Sequence, residues 1–351
     1  MNTIFDNFEG NINLSIFKPK DNDPIVTLRR HYLSLVGLLQ YVDIINGDTI
    51  GTLPDNISEQ TVKGMIMHCI GDLKTREDLD AIPHAHDDEI IYISTDRNII
   101  EPDENAAFGA NIISNTYEDG KGIIKFDGPV TQIGNNAFEN CYNLTNINIP
   151  ESVTTIEDRA FYFCSKLKNI VIPEEVTKIG YELFYNCKEL TSVTLPNRVT
   201  CIEFNAFAFC ENLTDISIPK SVTVIKKGAF MYCSNLTNIA ISENVISIEE
   251  NVFFNCSRLK AINVAPENPN YTSFNGVLYD KQKTILIQAP GGLNGEYSIP
   301  SSVTNIGTYA FYNCDSLTGM LISPNVTKIE EYAFENCDNL TNIVIPPGVS
   351  S

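Results

Sequence analysis

The chain has 351 residues, an apolar fraction of 43% and a formal net charge of −20. An acidic chain without a basic stripe is a poor match to nucleic acid or to an anionic membrane, so we expect neither as a partner. No run of 18 apolar residues occurs, so we expect no transmembrane segment.

Residues 1–80 predict a small N-terminal module with two amphipathic helices. Apolar residues recur at helical spacing over residues 28–42 and again over residues 62–73. The module either packs on itself and covers the segment that follows, or it is an oligomerisation or docking element.

Residues 81–122 predict a linker and a lead-in strand. The strand is expected at Glu89–Ser94, where apolar residues cluster, and a loop-rich stretch follows over residues 95–121. A second strand at Ile123–Phe126 then leads into a repetitive region.

A period of 23 residues dominates the remainder of the chain. Cysteine marks it at positions 141, 164, 187, 210, 233, 256, 314 and 337. Each copy reads V-T-x-I, then A-F-x-x-C, then L-x-x-I-x-I-P. Because a fixed period of this length is typical of stacked repeats, residues 123–351 predict a β-rich solenoid with short helical or 3-10 turns.

The apolar positions of each copy are expected to point inward and to form continuous columns. The phenylalanines should stack as an aromatic spine, and the cysteines as a column of reduced, buried thiols. The Cα–Cβ bonds of cysteines in neighbouring repeats point in the same direction, which is incompatible with disulfide geometry.

One insert interrupts the period, because Cys256 and Cys314 lie 58 positions apart. The inserted text, at about residues 265–298, predicts a hairpin from Val277–Tyr279 and Thr284–Ile287. Insertions in a solenoid usually map to one face and can be functional.

Two surfaces are candidates for binding. The first is the outward side of the L-x-x-I-x-I strands, where small, mostly neutral polar residues form either a binding surface or a solvated β-face. The residues predicted for binding are Asn146, Asn148, Asn169, Ser192, Thr194, Asp215, Ser217, Asn238 and Asn263. The second is a ridge of large residues before each cysteine, which is either exposed or packed on the next turn. Its members are Tyr162, Phe163, Tyr185, Phe209, Met231, Tyr232, Phe254 and Tyr312.

The sequence predicts no catalytic residue, metal or cofactor. All four histidines precede the repeats. His84, His86 and Asp87 could supply some ligands of a zinc site, but a complete set is not specified, and we interpret this stretch as a polar linker. His68 and Cys69 are adjacent and would not face each other on a helix.

The text V-T-x-I-G-x-x-A-F-x-x-C-x-x-L-x-x-I-x-I-P, as in Val130–Pro150 and Val326–Pro346, resembles the BspA-type leucine-rich repeat proteins. The resemblance covers about residues 123–351. It implies a leucine-rich repeat solenoid, adhesion or protein binding at the surface of a gut bacterium, and no catalytic motif. The helical N-terminal module and the lack of a visible export signal depart from this pattern.

We therefore expect a non-enzymatic interaction or adhesion protein that binds a protein or glycan through its solenoid surface. The alternative is a structural or receptor-binding component of a phage virion or tail, docked through residues 1–80. Residues 1–80 or an open C-terminal β-edge could support an oligomer. The expected location is the cell surface or the exterior if a signal was removed, and otherwise the virion or the cytoplasm.

Overall fold

The computed structural model describes residues 86–349, so the predicted helical module and Cys69 lie outside the described residues. Those residues form a β-solenoid of about nine turns with 23-residue repeats. They contain 22 strands and no helix. Accordingly, no membrane-spanning helix occurs between residues 86 and 349.

An antiparallel meander precedes the repeats. It consists of β1 (Glu89–Ser94), β2 (Ile112–Glu118) and β3 (Lys121–Phe126), with β3 between the other two. The prediction of a loop over residues 95–121 is wrong at β2. This strand has several polar residues and is weakly buried, so its sequence lacks the apolar alternation that indicates a strand. On the side opposite β3, β1 pairs antiparallel with β5 (Leu144–Asn148). The meander therefore covers the edge of the first repeat.

Most repeats contribute two short strands to the solenoid. The V-x-x-I motif forms two-residue strands that stack in parallel, and we call this stack the Val-Ile column. Its strands are β4 (Gln132–Ile133), β6 (Thr155–Ile156), β8 (Lys178–Ile179), β10 (Cys201–Ile202), β11 (Val224–Ile225), β13 (Ser247–Ile248), β19 (Asn305–Ile306) and β21 (Lys328–Ile329). The L-x-x-I-x-I motif forms the second strand set, which consists of β5, β7 (Asn169–Val171), β9 (Ser192–Thr194), β12 (Asn238–Ile241), β14 (Ala261–Val264), β20 (Leu317–Leu321) and β22 (Asn342–Val344).

The A-F-x-x-C segments are turns, so the expected helical or 3-10 turns are not found in the described residues. Their backbone N–H groups alternate between two kinds of acceptor. Phe161 donates to the carbonyl of Leu183 in the next repeat, whereas Tyr162 donates within its own turn to Arg159. Left-handed φ angles at Arg159 and Phe163 produce this alternation, and a helix cannot continue through such residues.

The predicted columns form the core. Phe138, Phe161, Phe184, Phe207, Phe230 and Phe253 stack with centroids 5.4–6.0 Å apart. The eight repeat cysteines are free thiols, as predicted. Cys164 is fully buried, and its Sγ donates a hydrogen bond to the carbonyl oxygen of Phe138 at 3.1 Å.

The insert contains a hairpin and one shortened repeat. Its strands are β15 (Tyr271–Phe274), β16 (Val277–Asp280), β17 (Ile285–Gln288) and β18 (Gly295–Ser298). The first three are antiparallel neighbours, and β17 then joins the Val-Ile column beside β19. The insert divides the core: Leu278 packs with the preceding repeats, while Val277 and Tyr279 pack with those that follow.

Candidate binding surfaces

Seven of the nine predicted binding residues lie on the outward side of the second strand set, and Asp215 and Ser217 lie at the equivalent positions of a repeat without this strand. We call the surface that these nine residues form the strand face. Asn146, Asn169 and Ser192 are in direct register across β5, β7 and β9. Asn146, Asn148, Asn169 and Thr194 are half-buried, and Ser192, Asp215, Ser217, Asn238 and Asn263 are exposed. All nine side chains are therefore at least partly accessible within residues 86–349.

Most of these side chains keep their hydrogen-bonding capacity. Asn169 Oδ1 accepts from Ser192 Oγ at 2.8 Å, and Asn238 Nδ2 donates to Thr237 Oγ1 at 3.3 Å. Within residues 86–349, the other six have no hydrogen bond from their side chains to protein: Asn146, Asn148, Thr194, Asp215, Ser217 and Asn263. Because an amide both donates and accepts, this surface suits partners that carry hydroxyl or peptide groups.

The strand face is interrupted at Asp215 and Ser217. The sequence predicts a strand here, and Ile216 is buried as expected, but residues 214–218 do not pair as a strand. A contact remains from the N–H of Thr237 to the carbonyl of Thr214 at 3.3 Å. The outward residues consequently form two strips, one on β5–β7–β9 and one on β12–β14.

The aromatic ridge packs on itself across the repeats. Phe209 and Tyr232 stack with centroids 4.4 Å apart and an interplanar angle of 8°, and Phe254 and Tyr312 stack at 4.1 Å. Tyr185 contacts Phe209 at 5.2 Å. Since many ring faces are covered by neighbouring rings, the ridge presents mainly ring edges, and it is a weaker candidate for stacking a sugar or a base.

Several ridge residues adopt backbone angles that are unusual for aromatic residues. Phe163, Phe209 and Tyr232 have φ near +60°, at a repeat position where Asn140 and Asn186 adopt similar angles. Such a conformation costs about 1–3 kcal/mol for a residue other than glycine, and asparagine tolerates it best. The inter-repeat ring contacts offset part of that cost.

The thiols are poor nucleophiles in this fold. Burial raises the pKa of Cys141 and of Cys256 to about 12 and that of Cys187 well above its usual value. Cys201, on the outer side of the Val-Ile column, is half-buried, and burial with the nearby Glu203 raises its pKa to about 11. These thiols stay protonated at neutral pH, and a neutral thiol neither attacks a carbonyl nor ligates a metal well.

A ladder of ion pairs at the repeat spacing was missed by the sequence analysis. Lys166–Glu189 and Lys188–Glu211 pair at 2.6 and 2.8 Å, and Lys220–Glu243 pairs at 3.0 Å. The signal was present as opposite charges 23 positions apart. Because each pair is largely exposed, the ladder organises surface charge more than it stabilises the fold.

The histidine and carboxylate stretch that we interpret as a polar linker is only partly described. His84 lies outside residues 86–349, so the cluster with His86 and Asp87 is not described as a whole. Within that range, no group of three histidine, cysteine, aspartate or glutamate side chains is placed to hold a metal ion.

Several solved structures are similar to this chain. The pneumococcal vaccine antigen PcpA has 23% identity and a TM-score of 0.51, with 68% of this chain and 60% of PcpA covered. The chain thus spans less than two thirds of PcpA, and this likeness concerns the fold alone. A leucine-rich cell surface protein of Faecalibacterium prausnitzii A2-165 has 29% identity, 68% and 75% coverage and a TM-score of 0.49.

A leucine-rich repeat protein of Bacteroides ovatus ATCC 8483 also has 29% identity, with 68% and 69% coverage and a TM-score of 0.47. No functionally curated protein matches the chain. The family model of the BspA-type leucine-rich repeat region matches six copies, over residues 155–277 and 294–351. More than half of the sequence is matched, and its repeats build the buried columns described above. The chain belongs to the BspA-type leucine-rich repeat family.

Proposed function

We propose that the protein is a non-enzymatic interaction or adhesion protein that binds a protein or glycan partner through the strand face. Proteins of its family are typically surface or adhesion proteins, which supports this proposal. The alternative role in a virion rests on residues 1–80, outside the described residues, and stays a prediction.

The observation that carries the proposal is the row of unpartnered polar side chains on β5, β9 and β14. Asn146 and Asn148 project from the sheet of the first strip and Asn263 from the sheet of the second, and their amides have no partner within residues 86–349. Within each strip the paired strands fix the spacing of the side chains before binding, which reduces the entropy lost on association. Apart from Asp215, these residues carry no charge that binding would have to desolvate.

The thiol chemistry supports a binding role over a catalytic one. Catalysis needs a group whose pKa lies near the working pH, held close to a reacting atom. The described thiols have raised pKa values, and most lie inside the core. The strand face offers amides and hydroxyls, which orient a ligand but activate no bond.

A substitution that blocks the strand face tests the proposal. Ser192→Arg places a long cation on β9, the last strand of the first strip, beside Asn169 on β7. Asn197→Arg adds the same charge at an exposed loop residue away from the strip. Both variants and the unchanged protein would be applied to a printed glycan array and to a panel of purified extracellular matrix proteins.

The expected result is one or more saturable partners, lost with Ser192→Arg and kept with Asn197→Arg. Equal binding by both variants would show that the strand face is not the binding surface. Loss with both variants would indicate a charge effect and would also contradict the proposal.

A further inference from the structure

The shortened repeat leaves a cleft beside the insert, of about 230 Å³. Leu286 and Ile306 occupy equivalent positions of the Val-Ile column but lie only 20 positions apart, whereas Ile306 and Ile329 lie 23 apart. The missing residues belong to the turn after β17, where Gly291 and Gly292 pack directly against the backbone of the preceding repeat. The cleft occupies the volume that a full turn would fill.

Two backbone N–H groups on the wall of this cleft have lost their acceptors. In the preceding repeat, Gly228 and Phe230 donate to the carbonyls of Glu250 and Val252 at 3.2 and 3.0 Å. The equivalent N–H groups of Asn251 and Phe253 have no partner among residues 86–349, and both residues line the cleft. Repeat geometry directs these two donors toward the space where the next turn is shortened.

Acceptors stand on the opposite side of the same space. The carbonyl of Thr308, equivalent to the carbonyl of Asp158 that accepts from Asn136, has no donor among the described residues. Gln288 lines the cleft and is only 8% exposed, and its amide makes no hydrogen bond within residues 86–349. The polar atoms of this amide remain accessible from the cleft, so they can form hydrogen bonds with a group that enters it.

Apolar side chains complete the lining. Ile248 is partly exposed here, whereas the equivalent Ile202 and Ile225 in preceding repeats are fully buried. Leu278 and Ile287 lie along the wall. The cleft therefore combines unpaired peptide-like donors and acceptors with room for a small apolar group.

The outer side of the cleft is closed to a chain that would pass through it. Phe254 stacks on Tyr312 at 4.1 Å, and Asn313 Nδ2 donates to Asn255 Oδ1, so the flanking repeats meet over the short turn. An extended peptide needs an exit at both ends, whereas a terminal group needs only one entrance. Exposed Glu249 and Glu250 among the lining residues favour a neutral ligand with hydroxyl donors.

We propose that this cleft binds the acetamido group of a neutral N-acetylated sugar at the end of a glycan. The acetamido carbonyl accepts from the N–H groups of Asn251 and Phe253, and its N–H donates to Gln288 or to the carbonyl of Thr308. The methyl group packs among the apolar side chains, and the sugar hydroxyls reach the rim. This site is separate from the strand face and does not depend on the function proposed for that face.

The test is titration of the full chain with N-acetylglucosamine, glucose and N-acetylalanine methylamide, followed by saturation-transfer NMR. Gln288→Leu removes the amide at nearly constant volume, and Gln282→Leu is the matched control at an exposed turn residue of the same hairpin. We expect N-acetylglucosamine to bind, and glucose to bind at least about tenfold more weakly. Gln288→Leu should weaken N-acetylglucosamine binding by at least about tenfold, while Gln282→Leu leaves it unchanged.

Absence of saturable N-acetylglucosamine binding, equal binding of glucose, or unchanged binding in Gln288→Leu would overturn the proposal. Preferential binding of the peptide mimic would overturn the assignment to a sugar. If Gln288→Leu lowers the Tm, Gln288→Met serves as the second variant and carries the same expectation. Ser192→Arg should leave this binding unchanged, which separates the two sites.

Discussion

Replacing Phe207 with alanine should remove a central element of the aromatic spine. The ring is fully buried and lies 5.4 Å from the rings of both Phe184 and Phe230. Its lost burial is worth about 1.5–3 kcal/mol, and each of the two ring contacts about 0.5–1.5 kcal/mol. We therefore expect Phe207→Ala to lower the free energy of unfolding by about 3–5 kcal/mol, the usual range for such a change.

Urea unfolding followed by circular dichroism measures this loss, and Tyr142→Ala is the matched control. Tyr142 is 52% exposed, so its loss should cost at most about 0.5 kcal/mol. Hydrogen exchange adds a spatial test. Because each repeat contacts only its neighbours, protection should fall in the repeats around Phe184 and Phe230 and should change little near Phe311.

A loss below about 1 kcal/mol for Phe207→Ala would refute the stacked-spine reasoning, since no buried ring of this kind is so dispensable. A similar cost for Tyr142→Ala would refute the assignment of inward and outward positions. Uniform loss of protection as far as Phe311 would contradict the nearest-neighbour character of the solenoid.

Three further predictions concern the thiols, the ridge and the ion-pair ladder. The folded pKa of Cys256 is raised from 9.0 to about 12, so stability is complete below pH 9 and falls as the pH rises toward 12. The slope is up to about 1.4 kcal/mol per pH unit for each buried thiol. Urea midpoints from pH 8 to 11 should show this decline, with a shallower slope in Cys256→Ala; equal slopes would contradict it. Phe209→Asn should change the free energy of unfolding by less than about 1 kcal/mol, because relief of the left-handed backbone strain offsets the lost ring contact. Phe207→Asn should instead prevent folding, and thermal unfolding of the two variants compares these outcomes. Lys188→Ala should cost at most about 0.5 kcal/mol, and this cost should vanish at 1 M salt in urea titrations; a larger, salt-independent cost would contradict a screened surface pair.

The columns could be predicted from the sequence because their signal is repeated eight times in one register. Phe161, Cys164 and Leu167 are buried as the pattern requires. The turn conformation was not predictable in the same way. A-F-x-x-C has helix-like apolar spacing, and only the inter-repeat hydrogen bonds and left-handed residues such as Phe163 exclude a helix.

The two candidate sites also differ in how far the sequence predicts them. The outward positions of Asn146 and Asn169 follow from strand alternation and were predictable, whereas the break in the strand face at Asp215 and Ser217 was not. The cleft was not, because it depends on a turn shortened inside an irregular insert. Gln288 carries no repeat signal, and its unpartnered amide becomes evident only when the surrounding backbone is placed.

Deletion of one complete period tests most directly whether identical turns stack on each other. Removing residues 188–210 joins Cys187 to Glu211, which leaves every column in register, whereas removing residues 188–199 puts inward positions at the surface. Thermal unfolding followed by circular dichroism should show a cooperative β-transition for the 23-residue deletion and none for the 12-residue deletion. Loss of folding in both variants, or its retention in both, would contradict a solenoid built from interchangeable 23-residue turns.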